Sequence, residues 1–367
     1  MGISISVITD FNEILKIEND WNHRLLLCSE NLFLYSRLLC GFMRFAKFAG
    51  WTPLVFTFWD ENEIIGIIPL KTLKRLGSTY VFSLSEELYS DLFLSNEHHE
   101  ECITLLVDYL FGTLNCLSVS ITFQGDDFYV KKLQKVCENK GFKFSALPFS
   151  SRAMVPVNSD WDLFYGTIKS SERKKLRKIK RKLDGLGSWH VFCAELNDVS
   201  IKQILSVEES SWKKDWRAEN NSAKDYALEI ILNESQPKEN LEPIYTPEVW
   251  FLEINGQTIA YRLILVYKGT ASFVKTSYNL QYRKFAPGKF LLRNMLEHFF
   301  RKRVDITKLD FVTNLPVMQM WNPIHVPRTT INIERNHLLC STVNMAYTIS
   351  LVRRFDNLIK RFFNKKP

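Results

Sequence analysis

The chain has 367 residues, more than twice the ~150 that serve as a prior for one domain, so two domains of comparable size are expected and a lone small module is excluded. Apolar residues make up 46% and charged residues 24%, ordinary globular usage that excludes disorder and fibrous architecture. Lys and Arg exceed Asp and Glu by 48 − 40 = 8, which favours anionic partners such as nucleotide phosphates, tRNA, acidic glycans or lipid headgroups.

In chain order, Phe11 to Cys28 and Leu32 to Gly50 read as apolar helical segments. Pro53 to Trp59 and Ile64 to Leu70, joined by the polar turn Asp60-Glu-Asn-Glu63, read as a β-hairpin. A strand near Thr79 to Ser85, a helix from Glu97 to Gly112, a strand from Cys116 to Phe123 and a helix from Asp127 to Lys140 complete the first half. The second half repeats this order. Val249 to Ile254 and Thr258 to Leu265 flank Asn255-Gly256, the strongest hairpin turn in the chain, and Thr270 to Tyr278 is the third strand. A helix from Gly288 to Arg303 and a strand from Thr307 to Thr313 follow.

Superposing the hairpins matches Ile64-Ile65-Gly66 with Thr258-Ile259-Ala260, an offset of 194, and the helix-to-strand junctions match Leu117 with Leu309, an offset of 192. This agreement predicts an α/β (α+β) fold of two tandem units, each a mixed sheet flanked by helices. The expected divisions are 1–158, 159–340 and a C-terminal segment, 341–367.

The halves differ after the third strand. Tyr282-Arg283-Lys284-Phe285-Ala286-Pro287-Gly288-Lys289-Phe290 brings small residues to a helix start, where backbone N–H groups and the helix dipole suit a pyrophosphate. A plain tight turn with proline at a helix start is the alternative reading. The stretch 192 residues earlier, Ser90 to Glu100, has neither glycine nor proline and carries Asp91 and Glu97.

Compartment and metals are read from the cysteines and the first residues. Cys28, Cys40, Cys102, Cys116, Cys137, Cys193 and Cys340 form no CxxC pair and no metal-ligand cluster, so buried thiols of a reducing, cytoplasmic compartment are expected and no metal site is. The first residues show no basic stretch followed by an apolar core; Gly2 with Ser6 fits only the minimal myristoylation pattern. No Ser-His-Asp order or nucleophile elbow is present, and His298, beside Phe299 and Phe300, reads as structural.

The spacing Arg283-x-x-Ala286-x-Gly288 before an apolar helix resembles the R/Q-x-x-G-x-G/A loop of the GNAT acetyltransferases. The wider run, Tyr278-Asn279, Tyr282, Ala286 to Leu291, Leu309-Asp310-Phe311 and Trp321, is similar to the GNAT-like family of cellulose and exopolysaccharide biosynthesis, the CelD type. That family is similar in turn to the Fem aminoacyltransferases, which carry two GNAT-like halves. Upstream, Asp160 to Phe164, the basic run Ser170 to Leu183 with Arg173 and Arg177, and Ser210-Ser211-Trp212-Lys213 extend the resemblance; Ile67 to Leu70 and Tyr89-Ser90-Asp91 carry it into the first half. The chain departs from the pattern with Val312 where a glycine usually follows Asp-Phe, and with Met318-Gln319-Met320 where a Tyr-Lys pair precedes the tryptophan.

The resemblance implies an acyl-CoA donor, acetyl-CoA or another, held by Arg283, Ala286, Pro287, Gly288, Lys289 and Phe290, with its thioester between two splayed strands near Tyr278, Asp310, Thr313 and Asn314. Asp310 is then the candidate base and Tyr278 the candidate proton donor to the leaving thiolate. A strand-end hydrogen bond for Asp310 and a core position for Tyr278 are the alternatives. Arg173, Arg177, Trp212, Asn314 and Trp321 are the candidate acceptor contacts. The implied reaction is N-acyl transfer to an amine of a sugar or glycan precursor; a Fem-like transferase using aminoacyl-tRNA and an inactive GNAT-derived binding protein are the rival readings.

Two cationic segments remain. Lys169 to Lys182 holds nine basic residues and one acid, with Leu176, Ile179, Leu183 and Leu186 forming a narrow apolar seam: an amphipathic helix with either a solvated face or an anionic partner, and with no groove-reading motif for DNA. Leu351 to Lys366 reads as a basic amphipathic helix fit for peripheral membrane contact or for packing on the domain.

Overall fold

The computed structural model describes residues 2–75, 77–84, 93–95, 97–124, 127–158, 160–211, 213, 226–235 and 244–335. Trp212, the Tyr89-Ser90-Asp91 element and the C-terminal segment 341–367 lie outside the described residues.

The first half supplies β1 (Ser4–Ile8), α1 (Phe11–Lys16), α2 (Glu18–Cys28), α3 (Ser36–Phe48), β2 (Thr52–Asp60), β3 (Glu63–Arg75), β4 (Ser78–Ser83), β5 (Phe93–Leu94), α4 (His99–Asp108), β6 (Cys116–Gln124), α5 (Asp127–Asn139) and β7 (Lys143–Pro148). The second supplies β8 (Arg152–Pro156), α6 (Trp161–Thr167), α7 (Ser170–Asp184), β9 (Trp189–Glu195), α8 (Asp198–Glu209), α9 (Tyr226–Glu234), β10 (Thr246–Ile254), β11 (Gln257–Tyr267), β12 (Thr270–Tyr278), α10 (Pro287–Lys302), β13 (Lys308–Asp310), β14 (Ile324–Val326) and β15 (Arg328–Glu334). The expected helix 11–28 is two helices that meet at Ile17, the cap residue of both. The expected strand 307–313 stops at Asp310, where the chain turns.

Two mixed sheets result, ordered β1-β2-β3-β4-β6-β15-β7, with β5 beside β3, and β14-β8-β13-β12-β11-β10-β9. The repeat holds at the level of single hydrogen bonds. Each hairpin carries a register shift, after Phe58 in β2 and after Leu252 in β10, and 252 − 58 is again 194. Each sheet contains one parallel pair, β4 with β6 and β12 with β13. Sheet membership departs from chain order at both ends of the second half. β8 completes the second sheet although it precedes the expected division at 158, and β15 is inserted between β6 and β7 of the first sheet.

Alternation along the strands sorts side chains into three cores. Tyr261, Leu263 and Leu265 of β11 join Val55, Ile64 and Ile67 and helices α1 to α3 in a core shared by both units. Ala260 and Ile264, with the apolar face of α10, form the outer core of the second unit. Val119, Ile121, α4 and α5 form that of the first. A Cβ at Gly41 of α3 would meet Ile230 Cγ2 of α9 at 2.4 Å, so only glycine allows these helices to approach so closely across the shared core.

Candidate functional site

The end of β12 is tied down before the chain turns. Asn279 N–H donates to Ile259 O (2.8 Å), Leu280 N–H to Ser210 O (2.9 Å), and the Asn279 side chain accepts from Gln281 N–H (3.0 Å) to cap a short 3-10 turn, Leu280–Phe285. Tyr282 Oη donates to Gln257 Oε1 (3.0 Å), pinning that turn to the neighbouring hairpin. Ala286 then adopts φ 47°, ψ 53°, a left-handed conformation costing an alanine about 1–2 kcal/mol, and Pro287 opens α10. Lys289 and Phe290 N–H groups both return to Ala286 O (3.1 and 3.2 Å). Helix geometry leaves the Gly288 N–H without an intrahelical acceptor, at the positive end of a sixteen-residue dipole whose first turn contains no acid. A Cβ at Gly288 would touch only Tyr278 Cδ1, at 3.8 Å, so the glycine keeps open the space above the tyrosine ring.

The basic helix α7 lies against this turn. Leu176 and Leu183 are buried and Ile179 and Leu186 partly buried in the outer core, so the apolar seam packs on the domain and the cationic face is left outward. Glu172 holds the two helices together, pairing with Lys175 and with Lys289 Nζ (3.3 Å) of α10, and these ammonium groups keep its carboxyl below the usual range. Trp189 meets Phe290 edge-on at 4.9 Å and donates to Asp184 at the end of α7 (2.8 Å). Arg173 is half-buried; Arg177, one helical turn on, is exposed, as is Arg283. The structure therefore brings Arg173, Arg177, Arg283, Ala286, Pro287, Gly288, Lys289 and Phe290 into one region.

A cleft opens beside β12. Pairing with β13 covers only Thr270 to Ser272, whereas β12 continues along β11 to Tyr278 opposite Ala260. The two strands part after Ser272, and from Phe273 onward no strand pairs with the outer edge of β12 among the described residues. Phe273 lies 5.3 Å from Phe311 at the root of the cleft. Tyr278, half-buried at its mouth, has its hydroxyl pKa raised by desolvation, with Arg283 acting weakly in the opposite sense, so the phenol stays protonated at neutral pH.

The remaining sequence candidates are placed differently. Asp310 is fully buried and held by Arg152, whose Nε (3.3 Å) and Nη2 both donate to it, while Val312 N–H donates to Oδ1 (2.8 Å). A carboxylate so occupied would have to break its ion pair to accept a proton. Val312, in the position where the resembled family carries glycine, stands at φ 60°, and Thr313 N–H closes the turn on Phe311 O (2.6 Å). Asn314 is satisfied at both ends, by Ser151 Oγ (2.6 Å) and by Gln319. Trp321 is fully buried in the outer core with Nε1 unpaired, and Met318 is packed beside it. His298 packs on Trp250 (4.8 Å), the structural position expected of it.

Three site features escaped the sequence reading. Arg262 of β11 is 6% exposed and its Nε has no hydrogen-bond partner among the described residues. Glu208 of α8, 2% exposed, accepts from Tyr261 Oη (2.5 Å) and pairs with Lys213 (3.0 Å). Arg24, Glu30, Gln124, Tyr129, Arg152 and Ser272 line a cavity of about 610 Å³ between the units, near the start of β12 and on the sheet face opposite α10. The signal for Arg262 was present: a single charge within the apolar run Ile259 to Val266. Among the described residues no cluster of three or more metal-ligand side chains occurs, and no helix is long and apolar enough to cross a membrane.

The comparisons agree with this architecture. Residues 170–315, from α7 to the turn after β13, match the family model of the acetyltransferase (GNAT) domain. Among solved structures, FemX aligns with a TM-score of 0.57 at 10% identity, covering 90% of this chain and 97% of its own. The C-terminal domain of a protein described as a lysylphosphatidylglycerol synthetase from Agrobacterium fabrum aligns at 0.55 and 13%, covering 92% and 96%. A tandem GNAT protein from the clavulanic acid biosynthesis pathway aligns at 0.50 and 10%, covering 90% and 98%. These likenesses are similarities of fold. No match among curated proteins was found by sequence. The fold is two GNAT-like units in tandem, and the residues that match the acetyltransferase (GNAT) model lie in the second.

Proposed function

We propose that the protein is an acyl-CoA-dependent N-acyltransferase whose second unit binds the donor and whose acceptor is an amine of a sugar or cell-surface polysaccharide precursor, as the CelD-type resemblance implies. The observation that carries this reading is the left-handed Ala286, Pro287 and open Gly288 starting α10 at the mouth of the β12–β13 splay. The residues present fit the donor: the Gly288 N–H and the helix dipole face a pyrophosphate, and Arg283, Lys289, Arg173 and Arg177 supply the cations around it.

A bound acyl-CoA supplies an activated thioester carbonyl. The unpaired edge of β12 from Phe273 to Tyr278 aligns the arm that carries it. In the transfer the acceptor nitrogen bonds to the carbonyl carbon and the carbon–sulfur bond breaks. Tyr278 Oη gives its proton to the departing sulfur, and the amine's proton leaves to solvent, which reprotonates the tyrosine. Asp310 serves as a positioning residue: with Arg152 it fixes the Val312 turn at the root of the splay. The cavity between the units is the route offered to the acceptor.

Calorimetry with acetyl-CoA on the full chain tests the reading. Binding to the wild type and loss of binding in Gly288→Glu are expected; a wild type that binds no CoA thioester overturns it. A Fem-like use of aminoacyl-tRNA is the second reading, favoured by the outward cationic face of α7 beside the loop. Charged tRNA in place of acetyl-CoA in the same titration separates the two. Acyl-CoA binding without thiol release across a panel of amino sugars would favour the third, a binding protein without turnover, which the buried Met318 in place of the family's Tyr-Lys pair motivates.

A further inference from the structure

Arg262 is placed where an arginine is hard to explain by stability. It faces the α10 side of the second sheet, between Trp250 of β10 and Thr276 of β12, and its Cζ stands 5.8 Å from the centre of the Phe273 ring. Phe273 is the first β12 residue beyond the last β13 pair, and its ring meets Phe311 across the splay, so the guanidinium stands at the root of the cleft beneath α10. The side chain is 6% exposed, and no ion pair or hydrogen bond to it occurs among the described residues.

Acids on the neighbouring elements are already engaged. Glu248, two residues from Trp250 on the same face of β10, is bound by Arg303 (2.6 Å), and Glu297 of α10 is bound by Arg293 (2.6 Å) and Arg301 (3.3 Å). Desolvation lowers the Arg262 pKa to about 10, which leaves it cationic at neutral pH. The ring contact with Phe273 compensates only a small part of the cost of holding a bare charge in the interior. A methionine or leucine would fill the same volume without that cost. Such a residue persists when a ligand completes it, and a planar guanidinium is the partner suited to a carboxylate.

We infer that the acyl group brought into the cleft ends in a carboxylate, as in the half-thioester of a dicarboxylic acid, and that Arg262 is the specificity-determining residue that receives it. The inference rests on the acyl-CoA reading above and narrows its donor class. An uncharged acyl chain of the same length leaves the guanidinium unpaired in the complex, and a site with an unmatched buried ion discriminates strongly.

Titration calorimetry on the full chain with succinyl-CoA and butyryl-CoA, which share a four-carbon acyl group and differ in the terminal charge, tests it. The wild type is expected to bind succinyl-CoA at least tenfold more tightly, and Arg262→Met is expected to reduce that ratio to about one, with Arg262→Lys intermediate. Equal affinities in the wild type overturn the inference while leaving the acyl-CoA reading intact, as does a preference unchanged in Arg262→Met. Binding of neither thioester overturns both. Should Arg262→Met fail to fold, the wild-type ratio alone decides.

Discussion

Leu94 and Tyr278 occupy the same place in the two units: Leu94 pairs with Gly66 of β3, and Tyr278 pairs with Ala260 of β11, which lies 194 residues after Gly66. From there the units diverge. Four residues, 95–98, separate Leu94 from α4, whereas eight, 279–286, separate Tyr278 from α10. The first unit therefore lacks the arginine-bearing 3-10 turn, and α4 opens on Glu100 and Glu101. If Tyr278 gives up the proton, Tyr278→Phe lowers kcat by ten- to a hundredfold with little change in donor affinity, measured by thiol release and calorimetry. Because burial raises this hydroxyl above its ordinary 10.0, loss of activity through its deprotonation sets in above pH 10; an alkaline limb near pH 8 that disappears in the phenylalanine variant would contradict the assignment.

Gly288 separates binding from folding. An added methyl meets only Tyr278 at 3.8 Å, so Gly288→Ala is expected to keep stability within about 1 kcal/mol of the wild type, while CoA affinity falls tenfold or more. Urea denaturation beside calorimetry reads both. Unchanged affinity would remove the phosphate loop from the proposal.

Removing the Asp310 charge acts first on stability. Asp310→Asn leaves Arg152, a side chain only 11% exposed, without its charge partner, and a cost of about 3 kcal/mol is expected. The paired replacement of Asp310 and Arg152 by apolar residues of similar size should recover part of it. A fully stable Asp310→Asn whose kcat alone collapses would restore the carboxylate as a base.

Val312 predicts an inverted order of substitutions. At ordinary positions Val→Gly costs more than Val→Ala, since glycine gains more freedom in the unfolded chain. Here φ is 60° and the side chain is 2% exposed, so both variants lose the buried methyls but only glycine relieves the left-handed strain of about 1–2 kcal/mol. Val312→Gly should melt at or above Val312→Ala.

The thiols predict alkaline behaviour. Burial raises Cys40, Cys102, Cys116 and Cys137 to about 12 from 9.0, whereas unfolded thiols ionise near the lower value. Their stabilisation is complete below pH 9 and lost as pH rises from 9 towards 12, by up to about 1.4 kcal/mol per pH unit for each. Denaturant midpoints at pH 8 and pH 10 check the slope. Labelling at pH 8 should reach the exposed Cys28 long before these four.

Much of the second unit was legible because its cues are local. Asn255-Gly256 sets the β10–β11 turn, and Ala286-Pro287-Gly288 marks the start of α10. The sequence offset fails at the third strand, where Leu94 and Tyr278 stand 184 apart: 28 residues separate Gly66 from Leu94 but only 18 separate Ala260 from Tyr278, and the longer turn after Tyr278 restores four of those ten. Edge and exchanged strands were invisible: Arg328–Glu334 owes its conformation to β6 and β7, whose residues lie about two hundred positions away and leave no local mark. Asp310 read as a candidate base, with a strand-end hydrogen bond as the alternative, because its partner, Arg152, lies 158 residues before it.

The insertion of β15 between β6 and β7 also fixes an order of assembly. When residues 1–150 have emerged from the ribosome, β6 and β7 still lack the strand that joins them, and seven residues from 328 to 334 must arrive before the first sheet closes. Until then both strands present open edges, so the nascent first unit is exposed to mispairing for the time taken to synthesise most of the second. Truncation anywhere before residue 328 therefore damages the unit that is finished first in sequence as well as the one that was cut.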